Sequence, residues 1–193
     1  MPADTVTPSV PAPTSDAAAA ATIPVGPSPS GTYRVQVQPA AGSCHYRVLD
    51  GAAGSVLPDP ACTPGASNPA VTPASLRATI CRSGYSPSIR PPQNITSAEK
   101  AASIKAYAYT GDRRVVEYDH LISLELGGDP NDPRNLWPEP NAATATTFNN
   151  AKDAVENRLN TVVCSGAVSL AAAQNAIASN WTTALAVATG TGS

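Results

Sequence analysis

The sequence predicts an α+β domain on three observations: short extended runs near the front, a β-branched and aromatic run in the middle bounded by glycines, and helical periodicity over the last third. Charged residues make up only 13% of the 193 and hydrophobic ones 42%, which excludes a charge-rich disordered chain and a coiled coil. No run approaches the ~20 apolar residues of a membrane span, so no membrane partner is expected.

Residues 1–30 hold seven prolines among Ala, Ser and Thr and are expected to be a disordered tail. They lack the basic start and apolar run of a secretory signal, so they read as the front of a mature chain whose signal has been removed. Residues 31–188 are expected to form one domain, and 189–193 a flexible C-terminus.

Within the domain, residues 32–38 alternate Tyr33, Val35 and Val37 with Arg34, Gln36 and Gln38, and residues 44–49 form a second extended run. Together they predict an N-terminal β-hairpin with one buried face. Residues 51–69, crowded with Gly and Pro, read as loop. A first helix is expected from Thr72 as N-cap, with Leu76 and Ile80 on one face and a stop before Gly84. A turn-rich stretch follows over residues 86–93. Thr96 to Glu99 then reads as a capping box, with Ala101, Ile104, Tyr107 and Ala108 at helical spacing and Gly111 as terminator.

Residues 115–122 are the strongest strand, and they contain Asp119 and His120. A loop through Gly127-Gly128 follows. Leu136-Trp137 predicts only a short second strand, because Pro138 removes a ladder donor. From about Asn149 a helix places Ala151, Val155, Leu159 and Val162 on its apolar stripe. A last helix opens at Ser169 and presents Leu170, Ala173, Ile177 and Trp181.

Cys44, Cys62, Cys81 and Cys164 are spaced 18, 19 and 83 residues apart, without the C-x-x-C pairs of a zinc site. An even count in a Lys-poor, Pro-, Ser- and Thr-rich chain predicts two disulfides and an oxidising compartment. Three pairings are open. Joining Cys81 to Cys164 is preferred because each lies near the end of a predicted helix.

The residues that carry chemistry run Tyr118-Asp119-His120-Leu121-Ile122, Glu125-Leu126-Gly127-Gly128, Asn135-Leu136-Trp137-Pro138-Glu139-Pro140, then Lys152-Asp153 and Glu156-Asn157. This series resembles the HNH, or ββα-metal, endonuclease superfamily, and within it a group of secreted bacterial proteins. The likeness extends back through residues 57–60, 62–65 and 90–92. It implies a ββα-metal core over about residues 113–163, with the N-terminal hairpin and further helices flanking it, and a secreted or cell-surface bacterial location.

The resemblance implies His120 as general base, Asp119 as a metal ligand, Asn135 as the residue holding the histidine loop, and Asn150 as the third motif position, with Asp153 as the alternative ligand. Such a site works because a divalent metal stabilises charge on the leaving oxygen while a neutral imidazole takes a proton from water. No histidine follows His120, so the ligand set would be all oxygen and suit Mg²⁺ or Mn²⁺ better than Zn²⁺. Neighbouring strand residues point to opposite faces, so sharing one site would require Asp119 and His120 to sit on a twisted or bulged strand.

Each residue also has a plainer reading. Glu125 orients His120 or is an ordinary solvent-facing strand residue. Lys152 contacts phosphate or is a solvated helix residue paired with Glu156, and Arg114 is a further candidate phosphate contact. Gly127-Gly128 reads as a turn needing positive φ, Trp137 as core packing, and His45 as structural or surface.

The net charge of -2 argues against strong nucleic-acid binding, but its distribution is uneven. Residues 61–118 carry seven basic side chains against three acidic, and residues 119–158 three against seven. If the two segments pack together, a basic wall would flank an acidic cleft.

The sequence thus predicts a monomeric, metal-dependent endonuclease acting on DNA, with RNA also open, and with little sequence selectivity. The alternative is a non-catalytic secreted or wall-associated binding domain that keeps the ββα frame. No G-x-S-x-G or H-E-x-x-H motif supports another hydrolase.

Overall fold

The structure, a computed structural model, describes residues 22–27, 32–146 and 151–191. It is mixed α+β, with two small antiparallel sheets, and the features expected at residues 1–21, 28–30, Asn150 and 192–193 lie outside the described residues. Part of the expected tail is docked. Val25 bridges Ser67, and Gly26 N–H donates to Ser67 O at 2.8 Å.

The hairpin falls further along the chain than the alternation predicts. Strands β1 (Arg47–Asp50) and β2 (Ser55–Leu57) pair Arg47 with Leu57 and Val48 with Val56, so β2 lies inside the stretch read as loop. The turn forms because Asp50 Oδ1 accepts from Ala52 N–H at 3.0 Å and Ala53 N–H at 3.1 Å. Residues 32–38 form no strand. Tyr33 Oη donates to Ile89 O, Asn131 Nδ2 donates to Arg34 O and Gln36 N–H donates to Glu99 Oε1, while Val35 and Val37 remain exposed. Partners from elsewhere take up these groups, and no neighbouring strand covers the alternating valines.

The expected first helix is reduced to a 3-10 turn at Leu76–Ala78. Ser75 Oγ accepts from Thr72 N–H and donates to Ala70 O, both at 2.8 Å, so local side-chain bonds compete with the helix. Gly84, at φ +78°, opens helix α1 (Tyr85–Ile89) rather than closing one. Helix α2 (Gln93–Ala106) starts a turn before the expected capping box, directly after Pro91-Pro92. Glu99 therefore does not cap it. Its side chain is buried against the 32–38 strap.

Strands β3 (Val116–His120) and β4 (Leu136–Pro140) run antiparallel from Val116 opposite Pro140 to His120 opposite Leu136. Pro138 does not shorten β4. Leu121 N–H donates to Asn135 O, so the bonded pairs fall at 119/137 and 117/139, and Pro138 and Pro140 occupy pairs whose amides face outward.

Helix α3 (Ala151–Cys164) is rotated relative to the expected stripe: its buried residues are Lys152, Glu156, Leu159 and Val163. Helix α4 (Leu170–Ser179) is capped as expected, with Ser169 Oγ accepting from Ala172 N–H. A separate helix α5 (Ala184–Thr189) follows.

The main core joins Leu57, Ile122 and Leu126 to α3, α4 and α5 through Leu159, Ile177 and Ala184, with Trp181 in the turn between α4 and α5. A second cluster packs fully buried Trp137 with Tyr46 and Tyr107. Trp137 is thus a core residue. Cys44–Cys62 and Cys81–Cys164 form the two disulfides, the second as preferred from helix ends. Among the described residues, no helix is long and apolar enough to cross a membrane.

Candidate functional site

His120 closes β3, and the fifteen residues from it to β4 are held by their own side chains. Asn135 is fully buried inside this loop. Its Oδ1 accepts from Ile122 N–H at 3.0 Å and Ala66 N–H at 3.3 Å, and its Nδ2 donates to Ile122 O and Asp129 O, both at 3.0 Å. Asp129 Oδ1 in turn accepts from Asn131 and Asp132 N–H, both at 2.9 Å. Gly127 has φ +73°, whereas Gly128 is required by close approach: a Cβ there would stand 1.8 Å from Ile122 O.

This loop brings Pro130 O to 3.0 Å from His120 Nε2. A carbonyl only accepts, so Nε2 carries the proton and Nδ1 the lone pair. His120 is 5% exposed, and burial lowers its pKa to about 4 against the opposing pull of Asp119. The imidazole is neutral at pH 7.

His120 lines a cleft of about 520 Å³ between β3 and the first turns of α2. Arg90 and Lys100 contribute positive charge, and Gln93, Thr96 and Ser97 contribute neutral polar groups. The acidic residue in this wall, Glu117, is pushed up to about 7 by burial and by Asp119 and Asp153. Near pH 7 the cleft therefore carries less negative charge than its composition implies.

The opposite side of β3 is ionic. The β3–β4 ladder runs without a bulge through His120, so Asp119 and His120 keep to opposite faces. Lys152 Nζ donates to Asp119 Oδ2 at 2.5 Å, to His120 O at 2.8 Å and to Glu156 Oε1. Its side chain is 1% exposed, which corrects the reading of Lys152 as a solvated residue. The i,i+4 pair of Lys152 and Glu156 turns inward because the ammonium finds oxygen partners from both β3 and α3.

Glu139 lies on the same side with no donor to either carboxyl oxygen. Burial keeps it protonated, well above the usual carboxyl range, and the proton bonds it to Asp119. Burial would raise Asp119 too, but Lys152 and the Glu139 proton hold it below its ordinary value. Burial and Asp119 push Glu156 up to about 8, partly offset by Lys152.

Glu125 sits in a 3-10 turn, not a strand, and shares a second cleft of about 360 Å³ with Asp153, Glu156 and Arg90. Arg114 lies apart from both clefts, 89% exposed and paired with Asp112 at 2.7 Å. The residues expected as metal ligands do not come together as a set. Asp119 is engaged by Lys152 and Glu139, Asp153 faces the second cleft, and Asn150 lies outside the described residues. Among the described residues, no group of three His, Cys, Asp or Glu side chains is placed to hold a metal ion, so the donor set does not fit one as arranged.

Sequence reasoning counted Arg90 and Lys100 only among the basic residues of a wall beside the cleft, and did not assign Glu117 or Glu139 to the site. Glu139 was legible in principle, two residues beyond Trp137 on the strand that faces Asp119. Arg90 and Lys100 reach the cleft only through the tertiary placement of α1 and α2. No family model, curated protein or solved structure matches the chain.

Proposed function

We propose that the chain is a secreted, HNH-like endonuclease that hydrolyses phosphodiester bonds of DNA, or of RNA, with His120 as general base and little sequence selectivity. The observation that carries this reading is the neutral imidazole fixed through Nε2 to Pro130 O in a cleft with Arg90 and Lys100. His120 Nδ1 takes the proton from a water whose oxygen attacks phosphorus, the P–O bond to the leaving sugar oxygen breaks, and that oxygen takes a proton from solvent. Arg90 and Lys100 hold the phosphate, and its negative charge raises the proton affinity of the imidazole beside it. The β3–β4 hairpin tied to α3 through Lys152 supports the ββα frame, and the two disulfides support an extracellular location. No step is assigned to a metal.

The test is nicking of supercoiled plasmid by the oxidised full chain, beside His120→Ala, with Mg²⁺, Mn²⁺ or chelator. Cleavage lost in the variant with unchanged circular dichroism is expected. A fully active variant would exclude the assignment. A second reading, a non-catalytic binding domain on the same frame, is favoured by one observation: the Lys152 ammonium already engages Asp119. It predicts no cutting under any of these conditions, with labelled DNA or another surface polymer still bound.

A further inference from the structure

We infer, resting on the nuclease reading, that the His120 cleft takes its nucleic acid as a single strand, with one unpaired nucleotide seated against Tyr118, and that a duplex is cut only where it opens.

The cleft has two unlike sides. Tyr118 lies two residues before His120 on β3, so both side chains leave the same face, and Leu136 stands opposite His120 on β4. With Pro91 these residues make an apolar side, in which Leu136 and Pro91 are buried and Tyr118 stays part-exposed. The polar side comes from Arg90, Lys100 and the start of α2. An aromatic wall beside two cations suits a base joined to its phosphate.

Magnitudes favour a single strand over a duplex. A duplex held from outside draws on ~6 to 10 phosphate contacts and ~1,000 to 2,500 Å² of protein surface. The cleft supplies two cations opposed by Glu117, in a chain of net charge -2, and its volume of about 520 Å³ is that of a small-molecule site. In a duplex the base faces are stacked on one another, and Tyr118 gains nothing from them. An unpaired base offers a free face, which stacking on an aromatic ring converts into about 5- to 150-fold in affinity. His120 is also recessed, at 5% exposed, so the scissile phosphate has to be brought down to it. A single strand bends into such a recess, whereas a duplex is stiff over ~150 base pairs.

The experiment uses the oxidised full chain. Binding is read by fluorescence anisotropy on His120→Gln in chelator, with a labelled oligonucleotide alone and annealed to its complement. The single strand should bind at least about tenfold more tightly, and two cations set a slope of log affinity against log salt of about -1.4. Adding Tyr118→Ala should weaken single-strand binding about 5- to 150-fold and leave the duplex unaffected, while Tyr118→Phe should bind like its parent. Should Tyr118→Ala not fold, Tyr118→Leu keeps apolar bulk without the ring and takes its place. Wild type should nick supercoiled plasmid, whose underwinding opens base pairs, and leave the relaxed closed circle intact.

Equal affinity for the two forms, or equal nicking of relaxed and supercoiled circles, overturns the single-strand assignment and leaves the nuclease reading standing. A folded Tyr118→Ala or Tyr118→Leu chain that binds the single strand as tightly as its parent overturns it as well. Absence of cutting on every substrate removes the nuclease reading, and the single-strand assignment with it.

Discussion

The Asn135 carboxamide exchanges two hydrogen bonds with the backbone of Ile122, accepting from its N–H and donating to its C=O, both at 3.0 Å. A side chain here imitates a neighbouring strand just where the β3–β4 ladder ends. The turn after His120 is thereby locked to the start of β4, and Pro130 O is held against the imidazole.

Asn135→Ala removes four hydrogen bonds and leaves buried amides of Ile122 and Ala66 without their partner. A loss of about 3 to 5 kcal/mol is expected in urea unfolding of the oxidised protein. Retention of wild-type stability would show that water replaces the carboxamide.

The β3 strand was legible from its β-branched and aromatic run, the Ser169 cap from the helix-start signal and the core position of Trp137 from its flanking residues. What misled the reading was physical competition. Alternation over residues 32–38 looks like a strand, but pairing needs a free neighbouring edge. Ser75 diverts the first helix into local bonds, and Pro91-Pro92 starts α2 a turn early. On α3, counting Lys152 and Glu156 as polar turned the stripe outward. A buried ionic cluster satisfies the same helical period as an apolar face, and pattern alone cannot separate the two.

Nitrogen-15 correlation spectra are expected to show His120 as the Nε2–H tautomer, with a midpoint near 4. The shift is downward from an ordinary 6.5, so the unfolded chain binds the proton first as pH falls. This group's contribution is complete above pH 6.5 and is lost as pH falls toward 4, about 3 kcal/mol in all. Glu156, raised to about 8, has the opposite slope, so the stability difference from His120→Gln isolates the histidine. A difference that is flat with pH would refute the burial argument.

The two disulfides are expected to differ in weight. In the chain-entropy description, a bridge spanning 83 residues contributes about 4.5 kcal/mol and one spanning 18 about 3 kcal/mol. Replacing Cys81 and Cys164 together by Ser should therefore lower stability more than replacing Cys44 and Cys62, as read by denaturant midpoints.

Gly128→Ala should be among the costliest small changes in the chain. Its new methyl would meet Ile122 O at 1.8 Å and Asn135 Nδ2 at 2.6 Å, backbone and clamp at once. A melting temperature lowered well beyond that of a matched Gly42→Ala control is expected, since a Cβ at Gly42 meets nothing within 4 Å. Gly42 carries a positive φ of 72° and Gly128 does not, so backbone strain in the control works against the expected difference and the close approach alone must carry it.

Near the end of the chain, Trp181 Nε1 donates to Val56 O at 2.7 Å, across 125 residues of sequence. The indole also joins Leu57 in the core that α4 and α5 complete. During synthesis the β1–β2 hairpin emerges early and can pack Val56 against Tyr107 and Trp137 once β4 is made, but Leu57 and the Val56 carbonyl meet the indole only after residue 181. A chain stalled before residue 181 would leave Leu57 and the Val56 carbonyl without their indole cover, so one of the earliest elements made is finished by one of the last described.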